Sequence, residues 1–186
     1  MSKKDLKKYR DKRDFRSTKE PKGEQGPRDA KRFVIQKHDA TSLHYDLRLS
    51  VNGILKSWSV PKGPSMDPSD KRLAIATEDH PYDYIDFEGT IPEDQYGGGK
   101  IIVWDKGPYK NLNDSTMEEA LKKGKIEVEL KGRKIKGGFA LIKTQKKGTP
   151  GSWILVKKDD DEADARTNPL STKPESVKSG KKIEDI

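Results

Sequence analysis

The sequence predicts a mainly β protein of about eight short antiparallel strands, closed into a barrel or stacked as a sandwich. Between residues 32 and 158, apolar residues recur in short runs, and several of these runs alternate with polar residues. Turns rich in glycine, proline and asparagine separate the runs, and only one segment carries clear helix signals. Short alternating runs are typical of strands with one buried face. Both architectures bury such faces, and the pattern does not choose between them.

The individual elements follow from local signals. Asn52-Gly53 between two runs is a strong hairpin signal, because a type I′ turn needs positive φ at both central residues. Ser115 and Glu118 form a capping-box pattern that opens a helix ending near residue 123, with Gly124 at its C-cap. A short helix within 4–13 is compatible with the sequence, and 146–151 has the composition of a loop. The predicted strands are 32–37, 43–51, 54–60, 73–77, 100–104, 126–130, 139–144 and 153–157, with a further short one at 84–87.

The composition bounds the class of protein. Apolar residues make up 30% of the 186 residues and charged residues 38%. We therefore expect one core-bearing domain at 32–158, a partly disordered arm at 1–31 and a disordered polar tail at 159–186. The absence of cysteine excludes disulfides and thiolate zinc sites. No apolar run approaches the roughly 20 residues of a membrane span, and the Lys-rich N-terminus lacks the apolar region of a signal peptide, so a cytoplasmic protein is expected.

The charge is concentrated at one end of the chain. The formal net charge is +8, and residues 1–31 carry 12 Lys and Arg against 6 Asp and Glu. A basic arm of this kind commonly contacts nucleic acid, although a solubilising tail has the same composition.

The segment 38–49 carries the clearest chemical signal. His44, Asp46 and Arg48 alternate with apolar residues, so they share one face of the predicted strand at spacings of roughly 6.5–7 Å. His38 precedes a short connection and can come alongside from the neighbouring strand. Two imidazoles and a carboxylate suit a divalent metal, and an adjacent guanidinium suits an anion. The alternative is a set of polar side chains on a solvated strand face.

Other residues carry weaker signals. Arg72 can bind phosphate but is also compatible with an ordinary surface position. His80, expected in a loop just beyond a strand, could donate a proton to a leaving oxygen or bind a phosphate. Tyr84 could add a hydroxyl contact, although tyrosine in a strand is more often a packing residue. Together these residues predict a metal-dependent site for a phosphorylated substrate, with the metal activating a water or binding a phosphate oxygen.

Five separated segments occur in the order found in one known family. They are 33–38 (FVIQKH), 43–49 (LHYDLRL), 55–64 (LKSWSVPKGP), 78–81 (EDHP) and 87–92 (FEGTIP). The chain resembles, from about residue 13 to residue 157, the 3′-phosphoesterase domain of bacterial and archaeal DNA ligase D proteins. The resemblance implies a compact antiparallel β-barrel of about eight strands, with one or two short helices and a basic N-terminal arm.

The resemblance also implies an activity and a set of site residues. Such enzymes depend on Mn²⁺, with other divalent transition metals as alternatives, and remove a 3′-terminal ribonucleoside and then the 3′-phosphate to leave a 3′-OH. By position, the metal ligands are His38, His44 and Asp46. The residues around the scissile phosphate are Arg48, His80 and Tyr84, with Arg72 as a further phosphate contact and Gln36 at the place of a functional glutamine. Arg13, Asp14 and Glu20 match, more loosely, residues of the diesterase step.

The family domain is usually fused to a ligase and a polymerase, and 186 residues hold neither. The expectation is a stand-alone, monomeric form that acts on DNA or RNA–DNA 3′ ends in DNA repair, associated with the nucleoid and not with a membrane, beside a separate ligase and polymerase. Two other functions stay open. A non-haem iron oxygenase would use His44, Asp46 and the distant His80 as its ligands. A non-catalytic barrel would bind nucleic acid without a metal requirement.

Overall fold

The computed structural model describes residues 6–23, 26–145 and 151–186. The predicted loop at 146–151 lies outside the described residues except for Gly151, as does the start of the helix predicted within 4–13. The helices are α1 (Lys7–Asp11), α2 (Met117–Lys123) and α3 (Pro169–Thr172), and two 3-10 helices lie at Tyr82–Asp86 and Ile183–Asp185. The strands are β1 (Arg32–Asp39), β2 (Leu43–Val51), β3 (Ile54–Val60), β4 (Arg72–Pro81), β5 (Gly89–Ile91), β6 (Gly99–Asn111), β7 (Lys125–Lys131), β8 (Lys136–Lys143) and β9 (Ser152–Lys157).

Eight of the strands close into an antiparallel barrel. Their order is β1-β2-β3-β4-β9-β8-β7-β6, and β6 pairs back with β1 to complete the ring. The short β5 pairs only with the first residues of β6. Closure provides most strands with two hydrogen-bonded neighbours and so removes the exposed edges of an open sheet. The predicted barrel is confirmed, and the sandwich alternative is excluded.

Two apolar clusters lie on opposite sides of the β1–β2 hairpin. Tyr45, Leu47 and Leu49 of β2 point into the barrel interior, where complete burial of such a side chain contributes roughly 1.5–3 kcal/mol. Leu43, at the start of the same face, is exposed. The second cluster lies outside the barrel, where Tyr9 of α1 and Tyr84 of the 3-10 helix cover β1, β3 and β6. The polar face of β2 is therefore enclosed by the arm and the 3-10 helix.

The local signals were mostly accurate, with identifiable exceptions. Asn52 (φ 52°) and Gly53 (φ 87°) form the predicted turn between β2 and β3. Helix α2 begins one residue later than predicted, because the hydroxyl of Thr116 accepts from the amide of Glu119. The strand predicted at 84–87 is wrong. Pro81 ends β4, and the 3-10 helix follows at once.

The C-terminal segment packs against the barrel at several points. The amide of Val177 donates to the carbonyl of Val103 at 2.9 Å, and the indole Nε1 of Trp104 donates to the carbonyl of Lys173 at 2.8 Å. Ile183 is buried, although the composition of the segment predicts disorder. The division of the chain at residues 31 and 158 stays a prediction. Within the described ranges, no helix has the length and apolar character required to cross a bilayer.

Candidate metal and phosphate site

The β1–β2 pairing brings three possible metal ligands together. His38 and His44 are direct partners across the two strands, and Asp46 follows His44 on the same face. One carboxylate oxygen of Asp46 lies 3.3 Å from Nε2 of His44 and 3.6 Å from Nδ1 of His38. The three ligand atoms lie within 4.8 Å of one another. Ligands about 2.1 Å from an ion are themselves roughly 3–4 Å apart, so this donor set fits a divalent metal.

Hydrogen bonds from the backbone orient both imidazoles. Nε2 of His38 lies 2.8 Å from the carbonyl of Gly97, and Nδ1 of His44 lies 3.0 Å from the carbonyl of Ser42. A carbonyl only accepts, so each of these nitrogens carries the proton. The other nitrogen of each ring faces Asp46 and is the one available to a metal. Outer hydrogen bonds of this kind fix the tautomer of metal-binding histidines.

The carboxylate at the centre of this group is ionised. Asp46 is buried, and burial alone would raise its pKa. Arg48, whose Nη2 lies 3.5 Å from the carboxylate, and the two imidazoles outweigh burial, so the pKa of Asp46 lies well below its usual range. Asp46 therefore offers a negatively charged oxygen between the two imidazoles.

Arg48 is held in place by Gln36. The guanidinium Nε donates to Oε1 of Gln36 at 2.7 Å, and the amide of Gln36 donates in turn to the carbonyls of Tyr84 and Phe87 at 2.9 and 3.0 Å. Gln36 is completely buried and Arg48 is 4% exposed. Gln36 thus acts through Arg48, whose Nη groups face the cavity.

His80 lies between two guanidinium groups. Its Nδ1 is 3.2 Å from Nη1 of Arg48, and its Nε2 is 3.5 Å from Nη2 of Arg13. Burial and then these two cations hold the pKa of His80 well below its usual value, so the ring is neutral in the free protein. The predicted loop position of His80 is wrong, because β4 continues through Pro81 and pairs His80 with Leu55 of β3.

The N-terminal arm contributes part of the site. Arg13 donates to Glu20 at 2.8 Å, and both side chains are nearly inaccessible to solvent. The hydroxyl of Tyr84 donates to the same carboxylate at 2.7 Å, and burial, followed by the charge of Glu20, raises the pKa of Tyr84 well above its usual value. Tyr84 therefore stays protonated. These contacts join the arm to the 3-10 helix beside Arg48 and His80.

One cavity of about 260 Å³ connects these groups. Its lining includes His38, His44, Asp46, Arg48, His80, Tyr84 and Arg13 from the predicted set, together with Glu78, Tyr96, Ser59 and Thr77, which sequence reasoning did not identify. A carboxylate oxygen of Glu78 lies 3.5 Å from Nη1 of Arg13. Glu78 lies two residues before His80, and residues i and i+2 of a strand share a face. The sequence alone could therefore have indicated Glu78 as a site residue.

Two predicted site residues lie elsewhere. Arg72 is at the opposite end of β4 from His80, pairs with Leu155 of β9, and has Asp70 as its ion-pair partner at 3.6 Å. Asp14 lies in an exposed turn of the arm, where it accepts from the backbone amide and the side chain of Arg16. Neither residue lines the cavity, so their proposed functional roles stay predictions.

The sequence of the chain matches a known protein family. The family model of the DNA ligase D 3′-phosphoesterase domain matches residues 36–143. The chain belongs to this family. Its matched region contains the metal group, Arg48, His80 and Tyr84, while Arg13 and Glu20 lie before it.

Three relatives are full-length proteins of which this chain matches a part. Over 181 residues it is 49% identical to a multifunctional non-homologous end joining protein LigD of Pseudomonas aeruginosa, with 95% of this chain and 21% of the relative covered. The LigD protein of Mycolicibacterium smegmatis is 40% identical over 158 residues, which cover 82% of this chain and 20% of the relative. A multifunctional non-homologous end joining DNA repair protein LigD of Mycobacterium tuberculosis is 44% identical over 141 residues, which cover 75% of this chain and 18% of the relative. The chain spans about a fifth of the length of these relatives.

Proposed function

We propose that the protein is a Mn²⁺-dependent phosphoesterase that repairs DNA 3′ ends in two hydrolytic steps. In the first, water attacks the phosphorus next to a 3′-terminal ribonucleoside, the bond to the 5′-oxygen of that ribonucleoside breaks, and a 3′-phosphate is left. In the second, water displaces the 3′-oxygen from phosphorus and leaves a 3′-OH and inorganic phosphate. The observation that supports this most is the His38–His44–Asp46 group in one cavity with Arg48 and His80.

The metal would be held by His38 Nδ1, His44 Nε2 and Asp46. A bound divalent ion would polarise a phosphate oxygen and lower the pKa of a bound water. Two nitrogens and one carboxylate oxygen suit Mn, Fe or Zn, and Mn²⁺ is proposed among them on the resemblance described in the sequence. The backbone carbonyls of Gly97 and Ser42 would keep both rings in the ligating tautomer.

Arg48 would bind and orient the phosphate. Its guanidinium is enclosed and its Nε is satisfied by Gln36, while Nη1 and Nη2, 3.2 Å from His80 and 3.5 Å from Asp46, border the cavity that the substrate would enter. A guanidinium binds phosphate strongly through paired hydrogen bonds, and the interaction strengthens where water is excluded. The negative charge that develops on phosphorus oxygens would thus be stabilised by a group that needs no reorganisation.

His80 would supply the proton for the leaving oxygen. In the free protein two guanidinium groups keep its ring neutral. A phosphate dianion or diester anion beside Arg48 would offset those positive charges and raise the pKa of His80 back toward its usual value, so that the ring takes up a proton. The protonated ring can then donate to the departing 5′- or 3′-oxygen. Arg13, Glu20 and Tyr84 would fix the opposite wall of the cavity and assist the diesterase step.

The biological setting is proposed from the relatives. Their names describe non-homologous end joining, and we propose that this chain prepares DNA or RNA–DNA 3′ ends for a ligase and a polymerase in the same pathway. We further propose that it acts in the cytoplasm at the nucleoid, as a monomer. Arg72 and Asp14 remain candidates for contacts with longer nucleic acid, because both lie outside the cavity.

The iron oxygenase alternative would need a third ligand other than the expected one. It required His80 to join His44 and Asp46, but the nitrogens of His80 face Arg48 and Arg13. His38 takes the third position instead. A cavity that places two guanidinium groups around a neutral imidazole is better suited to an anionic substrate.

The test is a panel of metals and 3′ termini. Purified protein is incubated with Mn²⁺, Mg²⁺, Zn²⁺ or a chelator on primers that end in a ribonucleotide, a 3′-phosphate or a 3′-OH. We expect Mn²⁺ to support conversion of the ribonucleotide end to a 3′-phosphate and then a shortened 3′-OH, with no change to a plain 3′-OH. His44→Ala should lower the rate on the order of 1000-fold, since one of three metal ligands is lost.

Arg16→Ala is the matched control, because that side chain is 93% exposed and lies outside the cavity. It should retain wild-type rates. Salt-sensitive binding of the primers with no conversion under any metal would favour a non-catalytic barrel and refute the proposal.

A further inference from the structure

Tyr96 is an exposed aromatic residue at the rim of the cavity. Its side chain lines the cavity but is 47% accessible to solvent. The other large apolar side chains with comparable exposure among the described residues are aliphatic. Where the structure describes the chain, no other aromatic ring packs on Tyr96. Its ring is therefore not part of either apolar cluster.

Two cations flank Tyr96, and each also pairs with a carboxylate, Lys12 with Glu78 and Arg13 with Glu20 and Glu78. Nζ of Lys12 lies 4.7 Å from the centre of the ring and 3.3 Å from its hydroxyl, and the guanidinium of Arg13 lies 5.3 Å from the ring. The hydroxyl is also 3.5 Å from Glu78. Arg13 in turn contacts His80, so a ligand at the ring would be next to the phosphate-binding groups.

The turn that carries Tyr96 is tied to the metal group. The carbonyl of Gly97, the next residue, accepts from Nε2 of His38 at 2.8 Å. The amide of Gly98 donates to Gln95, and the amide of Gln95 donates to Pro92, so the turn has its own backbone hydrogen bonds. A ring on such a turn has a defined position relative to His38, as a binding platform requires.

We propose that Tyr96 is a stacking platform for a nucleobase adjacent to the scissile phosphate. The inference rests on the proposed function and adds a base-binding subsite to it. A nucleic-acid base stacks on an aromatic face independently of its identity, and cations beside the ring bind the accompanying phosphates. Lys12 and Arg13 supply those cations. The base is that of the terminal ribonucleotide or of the nucleotide before it, and the experiment separates the two.

The experiment is a cycle of protein and substrate changes. Three primers are compared: one with all bases, one abasic at the terminal ribonucleotide, and one abasic at the penultimate nucleotide. Each is assayed with the wild type, Tyr96→Ala, Tyr96→Phe and Leu73→Ala. Leu73 is the control, since it is 44% exposed on β4 and does not line the cavity.

We expect Tyr96→Ala to raise KM for the base-bearing primer about 10-fold with a much smaller change in kcat. Tyr96→Phe should restore KM to within about twofold, and Leu73→Ala should have no effect. One of the two abasic primers should show the same KM increase with the wild type and no further increase with Tyr96→Ala, because the same contact is lost in both cases. The position of that abasic site identifies the base.

Equal losses for Tyr96→Ala on all three primers, or no loss on any, would overturn the inference. If Tyr96→Ala does not fold, Tyr96→Leu retains apolar volume without a ring and takes its place. As a direct readout, 2-aminopurine is placed in turn at the terminal and the penultimate position, and at one of them it should lose fluorescence on binding to the wild type and keep it with the variant. Conversion of the base-bearing primer by the wild type tests the proposed function separately, and the fluorescence measurement tests stacking even where no conversion occurs.

Discussion

Gln36→Met tests how strongly the polar layer behind the cavity depends on one amide. Met has nearly the shape of Gln but neither accepts from Arg48 nor donates to the carbonyls of Tyr84 and Phe87. Gln36 is 0% exposed, so water does not reach these groups when the amide is removed. The substitution therefore removes one acceptor from a buried cation and one donor from each of two carbonyls, of which that of Tyr84 keeps the amide of Phe87 at 3.0 Å.

The magnitude follows from the three hydrogen bonds. A hydrogen bond to a charged group contributes about 1.5–3 kcal/mol and a neutral one about 1 kcal/mol, so the free energy of unfolding should fall by about 4 kcal/mol. For a chain of this size that corresponds to a decrease in Tm of roughly 8–16 °C. Activity should fall as well, because Arg48 loses the acceptor that fixes its guanidinium.

The assay is thermal and denaturant unfolding of the wild type, Gln36→Met and a control, Ser57→Ala. Ser57 is also buried but, within the described part of the chain, its side chain makes a single hydrogen bond, to the carbonyl of Leu55 at 3.1 Å. Its loss should cost about 1 kcal/mol. A Gln36→Met protein no less stable than Ser57→Ala would refute the reasoning, since the buried amide would then contribute no more than an ordinary hydroxyl.

Three further outcomes are expected. Gly53→Ala should destabilise the protein by about 1–3 kcal/mol, because φ is +87° and a Cβ would lie 2.7 Å from the carbonyl oxygen of Gly26. Gly180 also has a positive φ (+76°), but a Cβ there meets no described atom within 4 Å, so Gly180→Ala should destabilise the protein measurably less in the same unfolding assay. The pKa of His80 is lower in the folded than in the unfolded protein, so below about pH 6.5 unfolding takes up a proton. The free energy of unfolding should therefore decrease with falling pH, by up to ~1.4 kcal/mol per pH unit. Unfolding curves from pH 8 to 5 should show a shallower decrease for His80→Gln, and identical slopes would contradict the assignment. Mn²⁺ at 100 times its Kd should raise the free energy of unfolding by about 2.7 kcal/mol, a chelator should reverse this, and His38→Ala should abolish it; an unchanged Tm in the wild type would count against the metal site.

Local patterns were sufficient for much of the barrel. Alternation located β2 and β3 with their observed limits, and Asn52-Gly53 located the turn between them. The metal group followed from the same alternation, since His44 and Asp46 share a face and a short connection returns the chain to His38. These are short-range relations, in which strand periodicity and turn geometry determine which side chains meet.

Relations between distant parts of the chain were not accessible in this way. The arm has too few apolar residues to indicate packing, yet Arg13 and Glu20 are buried against Tyr84. Arg72 and His80 are eight residues apart on β4, about 26 Å at 3.3 Å per residue, so that Arg72 pairs with β9 and His80 with β3. Tyr84 was assigned to a strand because its propensity favours one, whereas the preceding Pro81 allows the chain to turn into a 3-10 helix.

The packing of the arm has a practical consequence for where the chain can be truncated. The family match begins at Gln36. A fragment that starts there would keep the candidate metal ligands and the pair of Arg48 and His80. It would lack β1 residues 32–35 and also Tyr9, Arg13 and Glu20, and would leave the ring and hydroxyl of Tyr84 open to water. Low activity of such a fragment would then reflect the missing wall of the cavity and would be no evidence against the candidate metal group.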